Sequence, residues 1–100
     1  MKIRIASTSE LPAEGRAKEF ICDHKPVCVA RVDGTLTAMD NVCPHRGGPL
    51  SDGVILDSKL VCPWHGWQFD PKTGMSVQVP DTGVKLYKIT TEGDDVFLEE

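Results

Sequence analysis

The stretches VCPHRGGPL, residues 42–50, and VCPWHGWQF, residues 61–69, decide the fold of this chain. Together they hold two of the four cysteines and two of the three histidines among its 100 residues. The spacing is Cys43-x-His45, then sixteen intervening residues, then Cys62-x-x-His65. Two thiolates and two imidazoles supplied by two segments make a complete ligand set for a metal centre.

The rest of the chain predicts an all-β fold. Short runs of Val, Ile, Leu and Thr alternate with Gly, Pro, Asp and Asn, and no stretch keeps a helical period for three turns. Hairpin turns are expected at 33–34, 57–59 and 92–94, and a helical turn at 11–15 with Ser9 as its N-cap. Many short strands predict a sandwich or small barrel. The predicted strands are 3–6, 18–22, 27–32, 35–39, 54–56, 60–62, 75–79, 84–90 and 95–100.

Composition argues against several classes of partner. A net charge of −4 does not suit a nucleic-acid surface, which needs clustered Lys and Arg. The longest apolar runs fall far short of the ~20 residues of a membrane helix, and the opening MKIRIASTSE has no signal-peptide core. We therefore expect a cytoplasmic protein without nucleic-acid or membrane partners. In that reducing compartment, cysteines are more typical of metal ligands or buried thiols than of disulfides.

Two kinds of metal centre fit the ligand types. A single zinc ion could take two Cys and two His tetrahedrally, although zinc patterns usually pair Cys with Cys and His with His. One Cys and one His from each segment suits a dinuclear centre better, with two Cys on one iron and two His on the other.

The segments CPHRGG, residues 43–48, and CPWHGW, residues 62–67, resemble the two cluster loops of Rieske [2Fe–2S] proteins. The resemblance is strongest from 43 to 70 and extends over roughly the whole chain through the strand pattern. It implies one domain, 1–100, folded as an antiparallel β-sandwich with a small cluster-binding subdomain, roughly 41–71, inserted into it. It implies one [2Fe–2S] cluster per chain and no catalytic residues. The implied cluster ligands are Cys43, His45, Cys62 and His65.

Glycines and prolines in these loops have physical roles. Gly47, Gly48 and Gly66 are expected to let backbone N–H groups approach the cluster sulfurs, because no side chain intrudes there. Pro44 and Pro63 follow the two ligand cysteines and stiffen the loops by fixing φ.

The loops depart from those of respiratory Rieske proteins, which have a disulfide and two hydroxyl donors to sulfur. The disulfide of those proteins joins one extra cysteine in each loop. Here residues 46–50 of the first loop contain no cysteine, and Trp64 occupies the position of the extra cysteine in the second loop. Trp67 and Phe69 stand where the family has its serine and tyrosine. Hydrogen bonds to sulfur stabilise the more negative reduced state, so we expect a potential toward the low end of the range of about −150 to +300 mV.

Three functions follow as hypotheses. The leading one is a one-electron carrier of ferredoxin type, not itself an enzyme, whose partners are a reductase and an oxygenase or another terminal oxidoreductase. The second is the small subunit of an NAD(P)H-dependent nitrite reductase, which the chain also resembles and which should expose a large apolar patch. The third is a zinc-stapled binding module, which would be colourless.

The remaining cysteines, histidine and tryptophans have simpler structural interpretations. Cys22 and Cys28 are expected to be buried thiols, with a disulfide between them as the less favoured alternative. His24 is expected in an exposed turn. Trp64 and Trp67 could contact a partner or cover the cluster, and Trp64 is the one expected near the surface.

Overall fold

The computed structural model describes residues 2–43, 48–64, 66–79 and 81–99. Within these ranges there are nine β-strands and two short 3₁₀ turns, at Thr8–Glu10 and Leu50–Asp52. The strands are β1 Lys2–Ser7, β2 Ala17–Cys22, β3 Lys25–Val32, β4 Thr35–Asp40, β5 Val54–Leu56, β6 Lys59–Val61, β7 Gln68–Phe69, β8 Leu86–Glu92 and β9 Asp95–Glu99.

The strands form two antiparallel sheets. The large sheet has the order β1-β9-β8-β4-β3-β2, and the small sheet has the order β5-β6-β7. The small sheet belongs to the long excursion between β4 and β8, two strands that are neighbours in the large sheet. The all-β, antiparallel fold class is therefore confirmed. The proposed subdomain boundaries, 41–71, stay a prediction.

Strand β3 is buried on both of its faces. Successive side chains of a strand point to opposite sides, yet Val27, Cys28 and Val29 are all fully buried. Val27 and Val29 pack into one core, while Cys28 packs into another. Strand β4 divides in the same way, with Ala38 in the first core and Met39 in the second. These two strands are thus a wall shared by two cores.

The two cores contain different residues, and each stabilises the fold. Burying one Val, Leu, Phe or Met side chain contributes about 1.5–3 kcal/mol to the free energy of unfolding. The first, called the base core here, contains Ala6, Phe20, Cys22, Val27, Val29, Ala38, Tyr87, Val96 and Leu98. The second, called the site core, contains Cys28, Met39, Cys43, Leu50, Leu60, Cys62 and Phe69.

The hairpin turns lie close to where the sequence predicts them. Asp33 and Gly34 adopt φ of 52° and 78°, as a tight two-residue turn requires. The next turn consists of Asp57 and Ser58, so β6 begins one residue earlier than predicted, at Lys59. His24, with φ of 68°, lies exposed in the turn between β2 and β3, which confirms its assignment.

The predicted helical turn at 11–15 is wrong. A 3₁₀ turn forms earlier, at Thr8–Glu10, where the Glu10 carboxylate accepts the backbone N–H of Ser7 at 3.2 Å. Leu11 is extended, with φ −67° and ψ 148°. The physical reason is Pro12, because a residue that precedes proline is pushed out of the helical region.

The predicted strand at 75–79 is also wrong, since this segment makes only the isolated bridges Met75↔Gly83 and Ser76↔Phe69. The Ser76 hydroxyl accepts the backbone N–H of Val79 at 3.1 Å. A hydrogen bond between a serine side chain and a nearby backbone N–H competes with the hydrogen bonds between strands, so this segment does not join a sheet as a full strand.

The cysteines form no disulfide, and all four lie within the described residues. Cys22 packs in the base core and Cys28 in the site core, on the other side of the sheet, which overturns the alternative of a bond between them. Burial, and then the charge of Glu19, raises the pKa of the Cys28 thiol to about 12. Cys28 therefore stays protonated and behaves as a small apolar side chain.

Across the described residues, no helix has the length and apolar character needed to cross a membrane.

Candidate metal centre

The structure brings the two predicted cysteine ligands together in one place. Cys43 and Cys62 are 1% and 2% exposed and both belong to the site core. His45 and His65, the two predicted imidazole ligands, lie outside the described residues. The structure therefore places the sulfur half of the ligand set, and the complete set stays a prediction.

Cys43 lies on a segment that leaves β4 and is held by backbone pairing. Its N–H donates to the carbonyl of Gly48 at 2.9 Å, and Val42 forms an antiparallel bridge with Pro49. We call residues 41–43 and 48–51 the first arm. Its two legs lie side by side, and residues 44–47, which include His45, connect them in the sequence.

Cys62 lies at the end of the β6–β7 hairpin. The pairs Leu60↔Phe69 and Val61↔Gln68 bring the two strands together, and the Cys62 N–H donates to the carbonyl of Trp67 at 2.7 Å. We call residues 62–64 and 66–67 the second arm. Gly66 has φ of 71°, a conformation that favours glycine and permits this tight reversal.

Gly48 is the point where the two arms touch. A Cβ at this position would lie 2.9 Å from Cγ of Trp64 and 3.1 Å from Sγ of Cys62. Its neighbours therefore occupy the space that any side chain would need. The sequence predicts a role for Gly48 in exposing backbone N–H groups; the structure assigns it close packing between the arms.

The two thiols interact directly. Burial raises the pKa of the Cys62 thiol, whereas the Trp64 N–H, which donates to the sulfur at 3.4 Å, lowers it. A side-chain hydrogen bond with Cys43 and the charge of that neighbour raise the pKa further. Two buried thiolates this close repel each other, so a bound cation would be needed to neutralise them.

Among the described residues, the backbone N–H of Trp64 donates to the sulfur of Cys62. That Gly47, Gly48 and Gly66 let further N–H groups approach the cluster sulfurs stays a prediction. Gly47 lies outside the described residues.

The aromatic residues that replace hydroxyl donors line the site. Phe69 is fully buried in the site core, and Trp67 packs against that core. Neither side chain offers a hydroxyl to the sulfurs. Trp64 is 49% exposed, which confirms its expected position near the surface.

Sequence reasoning missed Asn41, which is 2% exposed and lies two residues before Cys43. Its position immediately before the first Cys segment was the available signal, because a buried Asn must find hydrogen-bond partners. Its partners, Glu19 and Ser51, are distant in the sequence, so only the fold reveals them.

Comparison with known proteins gives a consistent result. Residues 1–88 match the family model described as the Rieske [2Fe-2S] domain. The chain is similar to the ferredoxin component of the naphthalene 1,2-dioxygenase system of Pseudomonas aeruginosa, with 32% identity over 91 residues, covering 90% of this chain and 86% of the relative.

Solved structures agree with the fold. The ferredoxin of Sphingomonas yanoikuyae B1 superposes with a TM-score of 0.87 and 27% identity, covering 100% of this chain and 99% of that one. A protein described as the small subunit of an NADPH nitrite reductase superposes with a TM-score of 0.86, covering 100% and 99% of the two chains. Its identity is 15%, so this second likeness shows the fold alone.

The described residues fit a [2Fe–2S] cluster. Such a cluster of the Rieske type needs two thiolates on one iron. Cys43 and Cys62 arrive from separate segments, share a hydrogen bond and are shielded from water. The two cysteines are thus placed as a thiolate pair on one iron would require, and their assignment as ligands stays a prediction.

Gly48→Ala should weaken metal retention, because the new methyl group would push against Trp64 and Cys62. Overpacking of this kind costs about 1–3 kcal/mol. The measurement is iron per chain after purification, together with the rate of iron loss to a chelator. Gly15→Ala is the matched control, since its Cβ meets nothing within 4 Å and only backbone strain is added at φ 75°. Equal iron retention in the two variants would contradict the role assigned to Gly48.

Proposed function

Because the chain belongs to the Rieske [2Fe–2S] domain family, we propose that it carries single electrons from a reductase to an oxygenase or another terminal enzyme. One observation supports this most strongly. Cys43 and Cys62 are buried together, and Cys62 accepts the backbone N–H of Trp64, a residue whose side chain is half exposed. A redox group there would be shielded from water yet lie one side chain away from a partner.

We propose that Cys43 and Cys62 hold one iron and that His45 and His65 hold the other, within a cluster-binding subdomain of roughly 41–71. When bound, the [2Fe–2S] cluster accepts and releases one electron. The first arm holds Cys43, the β6–β7 hairpin holds Cys62, and the site core excludes water from both sulfurs.

The proposed potential lies toward the low end of the Rieske range. The Trp64 N–H is the kind of donor that stabilises negative charge on sulfur. Phe69 and Trp67 supply no hydroxyl for the same purpose, so the reduced state is less stabilised than in the respiratory proteins. A low potential suits a protein that receives electrons from a nicotinamide-dependent reductase.

The relatives support the role of carrier. The chain matches nearly the full length of a ferredoxin component, a protein that transfers electrons within a larger oxygenase system. The partners proposed here are therefore a reductase on one side and an oxygenase on the other. We propose the cytoplasm as its compartment, since four reduced cysteines suit a reducing environment.

Protein purified without oxygen should contain about two irons per chain and show a red-brown colour that bleaches with dithionite, as an iron–sulfur centre requires. The measurements are metal analysis and visible absorption. Cys43→Ser and Cys62→Ser should each lose the colour, whereas Cys22→Ser, outside the site core, should keep it. Zinc without a visible band would support the binding-module hypothesis instead.

In the same series, His65→Cys should keep the colour but lower the midpoint potential, because a charged thiolate replaces a neutral imidazole. An unchanged potential would count against His65 as a ligand.

Trp64→Ala should slow electron transfer to a protein partner about tenfold, as expected for an aromatic anchor at an interface. The backbone N–H to Cys62 remains, so the midpoint potential should change little. The measurement compares oxidation of the reduced protein by a terminal oxygenase with oxidation by ferricyanide, a small molecule that needs no docking surface. Trp64→Phe is the matched control. Equal slowing with both oxidants would assign Trp64 to the cluster environment and not to docking.

A second candidate is the small subunit of a nitrite reductase, and one observation favours it. The outer face of the small sheet carries exposed aliphatic side chains. Val77, whose N–H donates to the carbonyl of Gln68 in β7, adds another. Val54, Leu56 and Val77 are 56%, 59% and 53% exposed. Several exposed aliphatic side chains on one face are typical of a surface that a permanent partner covers.

Sedimentation velocity separates the two candidates. A shuttling carrier should remain a monomer at tens of micromolar, whereas an orphaned subunit should self-associate through its apolar face. In the second case Leu56→Lys should restore the monomer, and Ile21→Lys, an equally exposed site on β2, should not. A wild-type protein that is monomeric throughout would argue against the permanent subunit.

A further inference from the structure

Asn41 is a buried side chain with hydrogen bonds from both of its polar atoms. Its Nδ2 donates to Oε2 of Glu19 at 2.7 Å, and its Oδ1 accepts the backbone N–H of Ser51 at 2.6 Å. Its backbone is bonded as well: the N–H donates to the Pro26 carbonyl at 3.2 Å, and the carbonyl accepts the Leu50 N–H at 2.9 Å. One residue thus meets three separate segments of the chain.

These bonds close the base of the first arm. Asn41 starts one leg and Leu50 and Ser51 end the other, so two bonds from Asn41 fix the distance between the legs. Above them lie the bridge between Val42 and Pro49 and the bond from Cys43 to Gly48. The Asn41 bonds are therefore the lowest rung of a short ladder that carries Cys43.

The two remaining bonds, the side-chain bond to Glu19 of β2 and the backbone bond to Pro26 of β3, tie this ladder to the large sheet. Glu19 lies on β2 directly opposite Cys28 of β3, on the face that borders the site core. Its backbone is fixed by strand pairing, although its side chain is exposed. The contact with Asn41 therefore anchors a loop to a rigid strand, which is what a preorganised metal site needs.

We propose that Asn41 is a positioning residue for the cluster, and that its hydrogen bond to Glu19 sets the place of the Cys43 sulfur relative to Cys62. Asn41 acts through the first arm and does not touch the metal. This inference rests on the proposed ligand set. It goes further by naming a residue pair outside both Cys–His segments that controls how firmly the metal is held.

The pair allows a swap of donor and acceptor. Asn41→Asp removes the donor and sets two carboxylates against each other. Glu19→Gln keeps an oxygen acceptor for Asn41. In the double variant, the amide of Gln at 19 can donate to the carboxylate of Asp at 41, which restores the bond with the same total charge and nearly the same volume.

The test is the rate of iron loss to a chelator, measured on purified holoprotein at a temperature where circular dichroism shows every variant folded. Outer partners of metal ligands typically contribute 10–100-fold to metal affinity. We expect Asn41→Asp to lose iron about 10-fold faster or more, Glu19→Gln to stay within about twofold of wild type, and the double variant to return to within about threefold.

Val96→Ala is the control for a purely structural role. Val96 is fully buried in the base core and pairs with β1 and β8, whereas Cys43 and Leu50 of the first arm pack in the site core. It should lower the unfolding temperature without accelerating iron loss. Iron loss that follows the unfolding temperature in all variants, Val96→Ala included, would overturn the proposal.

Two further outcomes are decisive. If Asn41→Asp does not fold, the double variant carries the test: iron loss near the wild-type rate supports the proposal, and failure to hold iron overturns it. If the wild-type protein itself holds no iron, the proposed function fails first. If the wild-type protein holds iron and Asn41→Asp releases iron at the same rate, only the positioning role of Asn41 is overturned.

Discussion

The central constraint on this structure is that the middle of β3 and residues Ala38 and Met39 of β4 are buried on both faces of the sheet. Val27 and Val29 complete the base core on one side, and Cys28 and Met39 form the back of the site core on the other. The wall they share connects the two cores, so the two arms rest on strands that are packed from both sides. Polar side chains could not replace these four residues, because each of them is fully buried.

The arms themselves are too short to fold alone. The small sheet has strands of three, three and two residues, and so little pairing is marginal without a core to pack on. Three contacts make up the difference: Gly48 lets the arms approach closely, the site core fills the space behind them, and Asn41 links the first arm to β2. These contacts hold the two sulfurs in place, which would reduce the reorganisation that metal binding requires.

Two different surfaces correspond to the two functional hypotheses. The surface around Trp64 adjoins the buried Cys62, so it suits a brief encounter in which an electron crosses a short distance. The apolar outer face of the small sheet lies on the side away from the site core, because its residues alternate with Leu60 and Phe69. The carrier and subunit hypotheses therefore differ in what covers Leu56, not in how the metal is held.

The sequence by itself determined the ligand types, the all-β class and most strand positions, because these depend on local patterns: Cys and His spacing, alternating apolar residues, and Asp-Gly turns. The predicted helical turn at 11–15 was wrong because Pro12 restricts the backbone of Leu11. The predicted strand at 75–79 was wrong because the Ser76 side chain bonds to a nearby backbone N–H. Only the tertiary structure decided that Cys22 and Cys28 face different cores, that Gly48 must lack a side chain, and that Asn41 reaches Glu19. These facts depend on which strands become neighbours, and residues 22 positions apart come into contact only once the sheet has formed.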